Sequence, residues 1–334
     1  MKAMRLNRAQ PVDTNPLEFA ELPAPAPGPN EIRIQVRACG VCRTDLHIVE
    51  GELELPKLPV IPGHQVVGVV ERVGENVTRF REGDRVGVPW LYSTCGQCAF
   101  CRRGKENLCE VGRFTGYHVD GGYAQYVIVS ENFAYHLPEG LSDAETAPLL
   151  CAGVIGYRAL RLSELQPGER LGLYGFGGSA HIVIQIARHW DCEVYVFTRN
   201  EEHQRLAREL GAAWAGGVED EPPAKINSGI VFAPAGWIVL EALRMLEKGG
   251  TLSLAGIYMS PIPELDYNLL YHERTIRSAA NSTREDVREL LRLAGEIPIR
   301  TEVEVFPLEA ANEALQRLKR SEISGAGVLE VPQD

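Results

Sequence analysis

The pattern of apolar residues predicts an α/β chain of two domains, the first rich in β-strands and the second built on a parallel sheet. Three observations carry this. The chain has 334 residues, more than one core comfortably holds. To about residue 150 apolar residues alternate with a period of two, the mark of half-buried strands. Beyond that point strand-like runs alternate with helical periodicity, which implies parallel strands joined by helical crossovers.

Taken in order, "NEIRIQVRAC", "HQVVGVVERVG", "DRVGVPW" and "GGYAQYVIV" read as strands, separated by turn punctuation such as "APAPGPNE" and "REGD". At "LSDAETAPLLCAGVIGYRALRLSEL" the spacing becomes helical and stops at Pro167 and Gly168. "ERLGLYGFGGSAHIVIQIARHW" reads as strand, glycine turn and helix. Strand "CEVYVFT" and helix "NEEHQRLARELGA", ending at Gly211, come next. "GIVFAPA" and "GTLSLAGI" flank the helix "WIVLEALRMLEKGG", with Lys248, Gly249 and Gly250 as its C-terminal signals. "TREDVRELLRLAGEI" is a helix capped by Thr283, with Asp286 completing a partial capping box. The tail from "RTEVEVFPLEAANEALQRLKR" to "GAGVLEV" gives strand, helix and strand, returning to the first domain. The run "GTLSLAGIYMSPIPELDYNLLYHE" serves equally as a subunit interface or as part of the second core.

A formal net charge of −11 and a pI near 5.3 disfavour nucleic acid and anionic membrane as partners. The one basic stretch, "CRRGK", reads as a solvated face. "MKAMRLNRAQ" lacks the apolar core of a signal peptide, and no apolar run reaches the roughly 18 residues of a membrane span. A cytoplasmic location follows as an expectation, and there cysteines hold metal more often than they form disulfides.

Cys95, Cys98, Cys101 and Cys109 stand in C-x2-C-x2-C-x7-C spacing. Tight turns converge the first three sulfurs, and the loop "RRGKENL", bent at Gly104, returns the fourth. Four thiolates fill a tetrahedron and leave no open position, so this zinc is structural. Iron is the chemical rival for the same donor set. Cys39 and Cys192 read as small core residues. Cys151 alone reads the same way, but with Cys42 and His64 it completes the Cys2His set of a catalytic zinc with one position open.

The glycine turn is G-x-G-G-x-A. Gly175 makes the bend, Gly177 admits a pyrophosphate and Ala180 occupies the close-packing slot. Lying between a strand and a helix, its amides suit a dinucleotide, although a plain tight turn would read alike. The carboxylate expected about 20 residues on for a ribose is missing; the second strand ends in Thr198 and Arg199. A neutral residue followed by a guanidinium favours NADP, or tolerance of NAD and NADP, unless Arg199 points to solvent.

In the order "GVCRTDLH", "PGHQVVGVV", "CGQCAFCRRGKENLC", "CAGVIGYRAL", "GFGGSA" and "LAGIYM", the chain resembles the zinc-dependent alcohol dehydrogenases of the medium-chain dehydrogenase/reductase superfamily, above all the bacterial and yeast-type members. The resemblance implies a GroES-like β-rich catalytic domain over 1–152 and 299–334, a Rossmann doubly wound parallel-sheet domain over 153–298, and a homotetramer or homodimer. It implies Zn2+ at one catalytic and one structural site and NAD or NADP as cofactor. Thr44 is similar to the hydroxyl that takes the substrate proton, His47 to the imidazole that releases it through the cofactor ribose, and Asp45 to the carboxylate orienting His64. Arg43 resembles a pyrophosphate contact beside Gly175, Gly177 and Gly178. The backbone at Gly256 and Ile257 resembles the strand end that meets the nicotinamide carboxamide.

Three departures stand out: Gln65 where the family often has Glu, Thr198 for the ribose carboxylate, and Ala326 where many relatives carry an arginine near the phosphates. Trp90 resembles a pocket aromatic of yeast-type relatives that narrows the site toward small primary alcohols, although a tryptophan also serves in a core or an interface; Leu53 stands near another position that is a bulky aromatic in those relatives, which implies room for longer or aromatic alcohols. The reaction expected is hydride exchange between a primary alcohol or aldehyde and NAD(P). Reduction of cinnamyl-type or other activated aldehydes, and a nonenzymatic zinc- and nucleotide-binding protein, stand as alternatives.

Overall fold

The computed structural model describes residues 1–323 and 325–333. The chain opens with β1 (Lys2–Leu6), β2 (Leu17–Glu21), β3 (Glu31–Val41), α1 (Arg43–Glu50), β4 (Val66–Val73) and β5 (Arg85–Val88). It continues with β6 (Leu91–Ser93), α2 (Ala99–Arg102), β7 (Arg113–Phe114), β8 (Tyr126–Ser130), β9 (Tyr135–His136) and α3 (Asp143–Thr146). Then follow α4 (Ala152–Leu162), β10 (Arg170–Tyr174), α5 (Gly178–His189), β11 (Glu193–Phe197), α6 (Glu201–Glu209), β12 (Trp214–Gly216) and β13 (Ile226–Val231). The last are α7 (Trp237–Met245), β14 (Leu246–Leu254), β15 (Thr275–Ser278), α8 (Arg284–Glu296), β16 (Val303–Pro307), α9 (Ala311–Lys319) and β17 (Ala326–Glu330).

Among the described residues, 1–151, 283–295, 300–323 and 325–333 form one compact unit, and 152–282 with 296–299 a second. The largest difference from the expected boundaries is at α8, which falls with the first unit through Gly295. Its first residue explains this: Glu106 accepts hydrogen bonds from both the backbone N–H and the side chain of Arg284, at 3.0 and 3.2 Å. Apolar periodicity says that a helix has a buried face but not which core receives it. The expected end at 334 lies outside the described residues.

The first unit is organised on β3. One edge of this 11-residue strand pairs with β4; the other pairs with β8 over its first half and with β17 over its second, all antiparallel. Ile32, Ile34 and Val36 from β3 meet Val66, Val70, Val86 and Val88 in one apolar core. Burial of each such side chain contributes about 1.5–3 kcal/mol. Cys39 is fully buried in it, a core residue as expected.

The second unit holds a six-stranded, all-parallel sheet in the order β12-β11-β10-β13-β14-β15. Counted within this unit the order is 3-2-1-4-5-6, the arrangement of dinucleotide-binding sheets, with its switch between β10 and β13. Tyr174, Phe197, Ile226 and Leu252 anchor its core, and Tyr174 stacks on Phe197 with centroids 4.2 Å apart.

Two helical expectations are corrected. "LEKGG" is not the end of a helix: α7 stops at Met245 and Leu246–Leu254 is strand, with Gly249 at φ 76° making the irregular entry. Nor is the stretch after "LSD" one helix, since α3 and a 3-10 turn over Ala147–Leu150 give way at Cys151, whose φ −134° and ψ −72° leave the helical region before α4 begins.

Candidate active site and metal centres

Cys42 caps α1, with its sulfur accepting the Thr44 N–H at 3.4 Å and its own N–H donating to Asp45 Oδ2 at 3.0 Å. This is a capping box with a thiol in the place usually held by a hydroxyl. Asp45 is wholly buried, and its other oxygen accepts from the Gly63 N–H at 3.2 Å and from His64 Nδ1 at 3.0 Å. One carboxylate therefore starts the helix, holds the loop before His64 and fixes the imidazole so that Nε2 faces Cys42 Sγ at 3.3 Å.

Cys151 closes the triplet, its Sγ 3.9 Å from that of Cys42. All three ligand atoms lie within 4.8 Å of one another. Tetrahedral zinc bonds imply S···S edges of about 3.8 Å and S···N edges of about 3.5 Å, so the donors match this ion in kind and spacing. The hydrogen bond to Cys151, together with burial, pushes the Cys42 thiol well above its ordinary pKa. A cation held by the triplet would offset that cost to the Cys42 thiolate.

The quartet is also assembled. Cys95 Sγ lies 3.9 Å from Cys101 Sγ and 3.6 Å from Cys109 Sγ, and the backbone N–H groups of Cys98 and Cys101 donate to the sulfurs of Cys95 and Cys98. The backbone N–H groups of Gln97 and Cys98 pull the Cys95 thiol down to about 6, whereas burial and Cys98 push Cys101 up to about 11. A dication removes that conflict, and four sulfurs leave it no open position.

In the second unit Gly175, at φ 89°, turns the chain out of β10 into Gly177, the N-cap of α5. A Cβ at Gly175 would lie 3.1 Å from the Ala233 nitrogen; one at Gly177 would meet nothing. The open space at Gly177 adjoins the start of α5, where the first N–H groups of a helix have no carbonyl of their own helix to bond, and this suits a diphosphate. Thr198 is buried at the end of β11, its hydroxyl accepting the Asn200 N–H, and the neighbouring Arg199 is exposed.

Residues 28–139 match the alcohol dehydrogenase GroES-like domain family and residues 178–296 the zinc-binding dehydrogenase family. The probable alcohol dehydrogenase AdhA of Mycobacterium tuberculosis is 49% identical, covering 98% of this chain and 97% of that protein. This chain belongs to the zinc-dependent alcohol dehydrogenases of the medium-chain dehydrogenase/reductase superfamily. A cinnamyl alcohol dehydrogenase from Sorghum bicolor superposes with TM-score 0.88 at 28% identity, over 98% and 97% of the two chains. A cobalt- and zinc-bound thermostable alcohol dehydrogenase from Pyrobaculum aerophilum gives 0.88 at 26%, over 99% of each. As a zinc-dependent alcohol dehydrogenase the chain is an enzyme, a zinc- and NAD(P)-linked oxidoreductase with a GroES-like and a Rossmann domain. The nonenzymatic alternative falls.

For this dehydrogenase the first unit holds Cys42, Arg43, Thr44, Asp45, His47, Leu53, His64, Trp90 and Cys151; the second holds Gly175, Gly177, Gly178, Thr198, Arg199, Gly256 and Ile257. Arg43 is exposed on the first turn of α1 and Thr44 half-buried beside it. Trp90 meets the His64 ring edge-to-face with centroids 4.8 Å apart and stacks on Phe114 at 5.0 Å and on Tyr117 at 5.8 Å. Leu53 packs partly buried on the same core. Gln65 is buried, its carbonyl accepting the Gly40 N–H at 3.0 Å. Gly256 and Ile257 follow β14 in an exposed loop.

Phe114 and Tyr117 escaped the sequence reading. Tyr117 also donates its hydroxyl to the Glu54 carbonyl, pinning the segment that carries Leu53. Aromatics so close after a metal loop were the available signal. Glu52, whose carboxylate is hydrogen-bonded to His47 Nδ1, also went unread, although it directly follows the glycine that ends the helix of His47.

Proposed function

We propose that this dehydrogenase exchanges hydride reversibly between a primary alcohol, or its aldehyde, and NADP, with NAD accepted as well. The observation that carries the reading is the Cys42, His64 and Cys151 triplet: three donors leave the fourth position of a tetrahedral ion for substrate. When bound, zinc supplies a Lewis acid that makes an alcohol acidic at neutral pH, and the dinucleotide supplies the hydride acceptor.

The chain's own residues do the rest. Cys42, His64 and Cys151 hold the metal, and Asp45 keeps the His64 ring in register. Thr44 takes the alcohol proton in exchange for its own and His47 carries it to solvent. Trp90 and Leu53 shape the pocket, and the stack of Trp90 on Phe114 and Tyr117 offers flat walls to aromatic or conjugated alcohols and aldehydes. That stack is the specific support for the second reading, reduction of cinnamyl-type aldehydes. Gly175, Gly177 and Gly178 would hold the diphosphate and Arg199 a 2'-phosphate, with Arg43 and the backbone at Gly256 and Ile257 as further cofactor contacts.

No helix among the described residues is long and apolar enough to cross a membrane. The gathering of six cysteines into two metal-ligand sets supports a reducing cytoplasm. Assembly as a homotetramer, or as a homodimer, is carried over from the family.

Steady-state turnover of the zinc-loaded protein on primary, secondary and aromatic alcohols, each with NAD and with NADP, tests this. Primary or aromatic alcohols should lead, with kcat/KM for NADP at least equal to that for NAD. A strong preference for NAD removes the role of Arg199. Cys42→Ser and His64→Ala should abolish turnover, and near-normal activity with the triplet empty of metal would sink the assignment.

A further inference from the structure

The end of α1 carries an arrangement beyond the proton relay just described, and it is visible first in the backbone. Gly51, at φ 75°, ends the helix in the left-handed region; its N–H returns to the Ile48 carbonyl at 3.2 Å, and the Glu52 N–H to the His47 carbonyl at 2.9 Å. This pair of bonds is a Schellman closure, which folds the residue after the glycine back over the helix's last turn. The residue folded back is acidic. Its side chain meets the imidazole whose carbonyl its amide already holds: Glu52 Oε2 is hydrogen-bonded to His47 Nδ1.

Glu50 and Lys319 nearby are engaged with each other and with the chain's start. Glu50 accepts from the Val12 N–H at 2.9 Å and from Lys319 Nζ at 2.8 Å, and Lys319 also lies 3.6 Å from Asp13. Glu52 makes no other side-chain hydrogen bond among the described residues, and its side chain is 57% exposed against 23% for His47. One face of the imidazole's proton chemistry is thus tied to a solvated carboxylate.

We infer that Glu52 is the outlet of the relay, a positioning residue that fixes His47 with its N–H on Nδ1 and then passes that proton to water. The inference rests on the reading of His47 as the relay's terminal imidazole. A proton arrives at Nε2, the Nδ1 proton leaves to the Glu52 carboxylate and on to water, and the ring keeps one N–H, now on Nε2. One proton enters, one leaves, no electrons move, and exchange with solvent resets the tautomer.

The test is proton release in a single turnover of the zinc-loaded enzyme, followed by stopped flow with a pH indicator, using the alcohol and dinucleotide that turn over best. Glu52→Ala should slow release roughly tenfold relative to nicotinamide reduction. Added imidazole buffer should restore the rate, and Glu52→Asp should retain part of it. Slow release that no buffer restores would make Glu52 only a structural latch and overturn the proposal. Unchanged release in Glu52→Ala, with His47→Gln still slow, overturns it while leaving the relay in place. If His47→Gln is also unchanged, the relay reading itself fails.

Discussion

Asp45 is the side chain on which most of the first unit's chemistry converges. Its two oxygens accept from the Cys42 N–H, the Gly63 N–H and His64 Nδ1, all without solvent. Asp45→Asn keeps the shape but offers an NH2 to three donors, so at least one is left facing a donor. Zinc affinity at the triplet should fall about 10–100-fold, read by chelator competition. Unchanged affinity would show that His64 is oriented without the Asp45 carboxylate. Sequence reasoning reached Asp45 by family likeness. The capping box itself was written in "CRTD", hidden because cysteine is not an expected N-cap.

Between β3 and β4 the register shifts at two places; at one of them Glu71 is the extra residue of a bulge, and there its carboxylate takes a two-pronged hydrogen bond from Arg33 at 2.6 and 2.9 Å. That hydrogen bond, opposed by partial burial, lowers the Glu71 pKa in the folded state. A depressed carboxyl stabilises the fold above its unfolded pKa, and the contribution disappears as pH falls through the folded value. Glu71→Gln should therefore lower stability at pH 7 by about 1 kcal/mol or less, the gap closing in melts below about pH 4. A gap that persists in acid would assign the effect to packing. Strands with clear alternation, such as β3 and β4, were legible in the sequence, as were both cysteine sets and the glycine turn. What was not legible depends on tertiary placement. Pro148 and the non-helical Cys151 break an otherwise helical pattern so that a sulfur can turn toward Cys42, and "LEKGG", with helical signals, is drawn into a parallel sheet by β13.

At the level of the folded chain, the quartet's loop is not an isolated appendage. Glu106, between Cys101 and Cys109, is buried and holds the first residue of α8, while Arg284 also lies over the Phe133 ring at 5.2 Å. Emptying the quartet should therefore be felt beyond it. Cys98→Ser is expected to reduce bound zinc from two ions to about one per chain and to lower Tm by roughly 5 °C or more, with new proteolysis within 95–109 and near 284. Full stability with one zinc lost would make the loop dispensable to the fold.

The pairing of β3 by β17 bears on synthesis. Translation delivers residues 31–41 long before residues 326–330, so the growing chain must carry the second half of β3 without the neighbour that finally covers its edge. A ribosome that stops before residue 326 would leave not a smaller dehydrogenase but an open-edged sheet with seven potential metal ligands attached, a product suited to aggregation or to capture by chaperones.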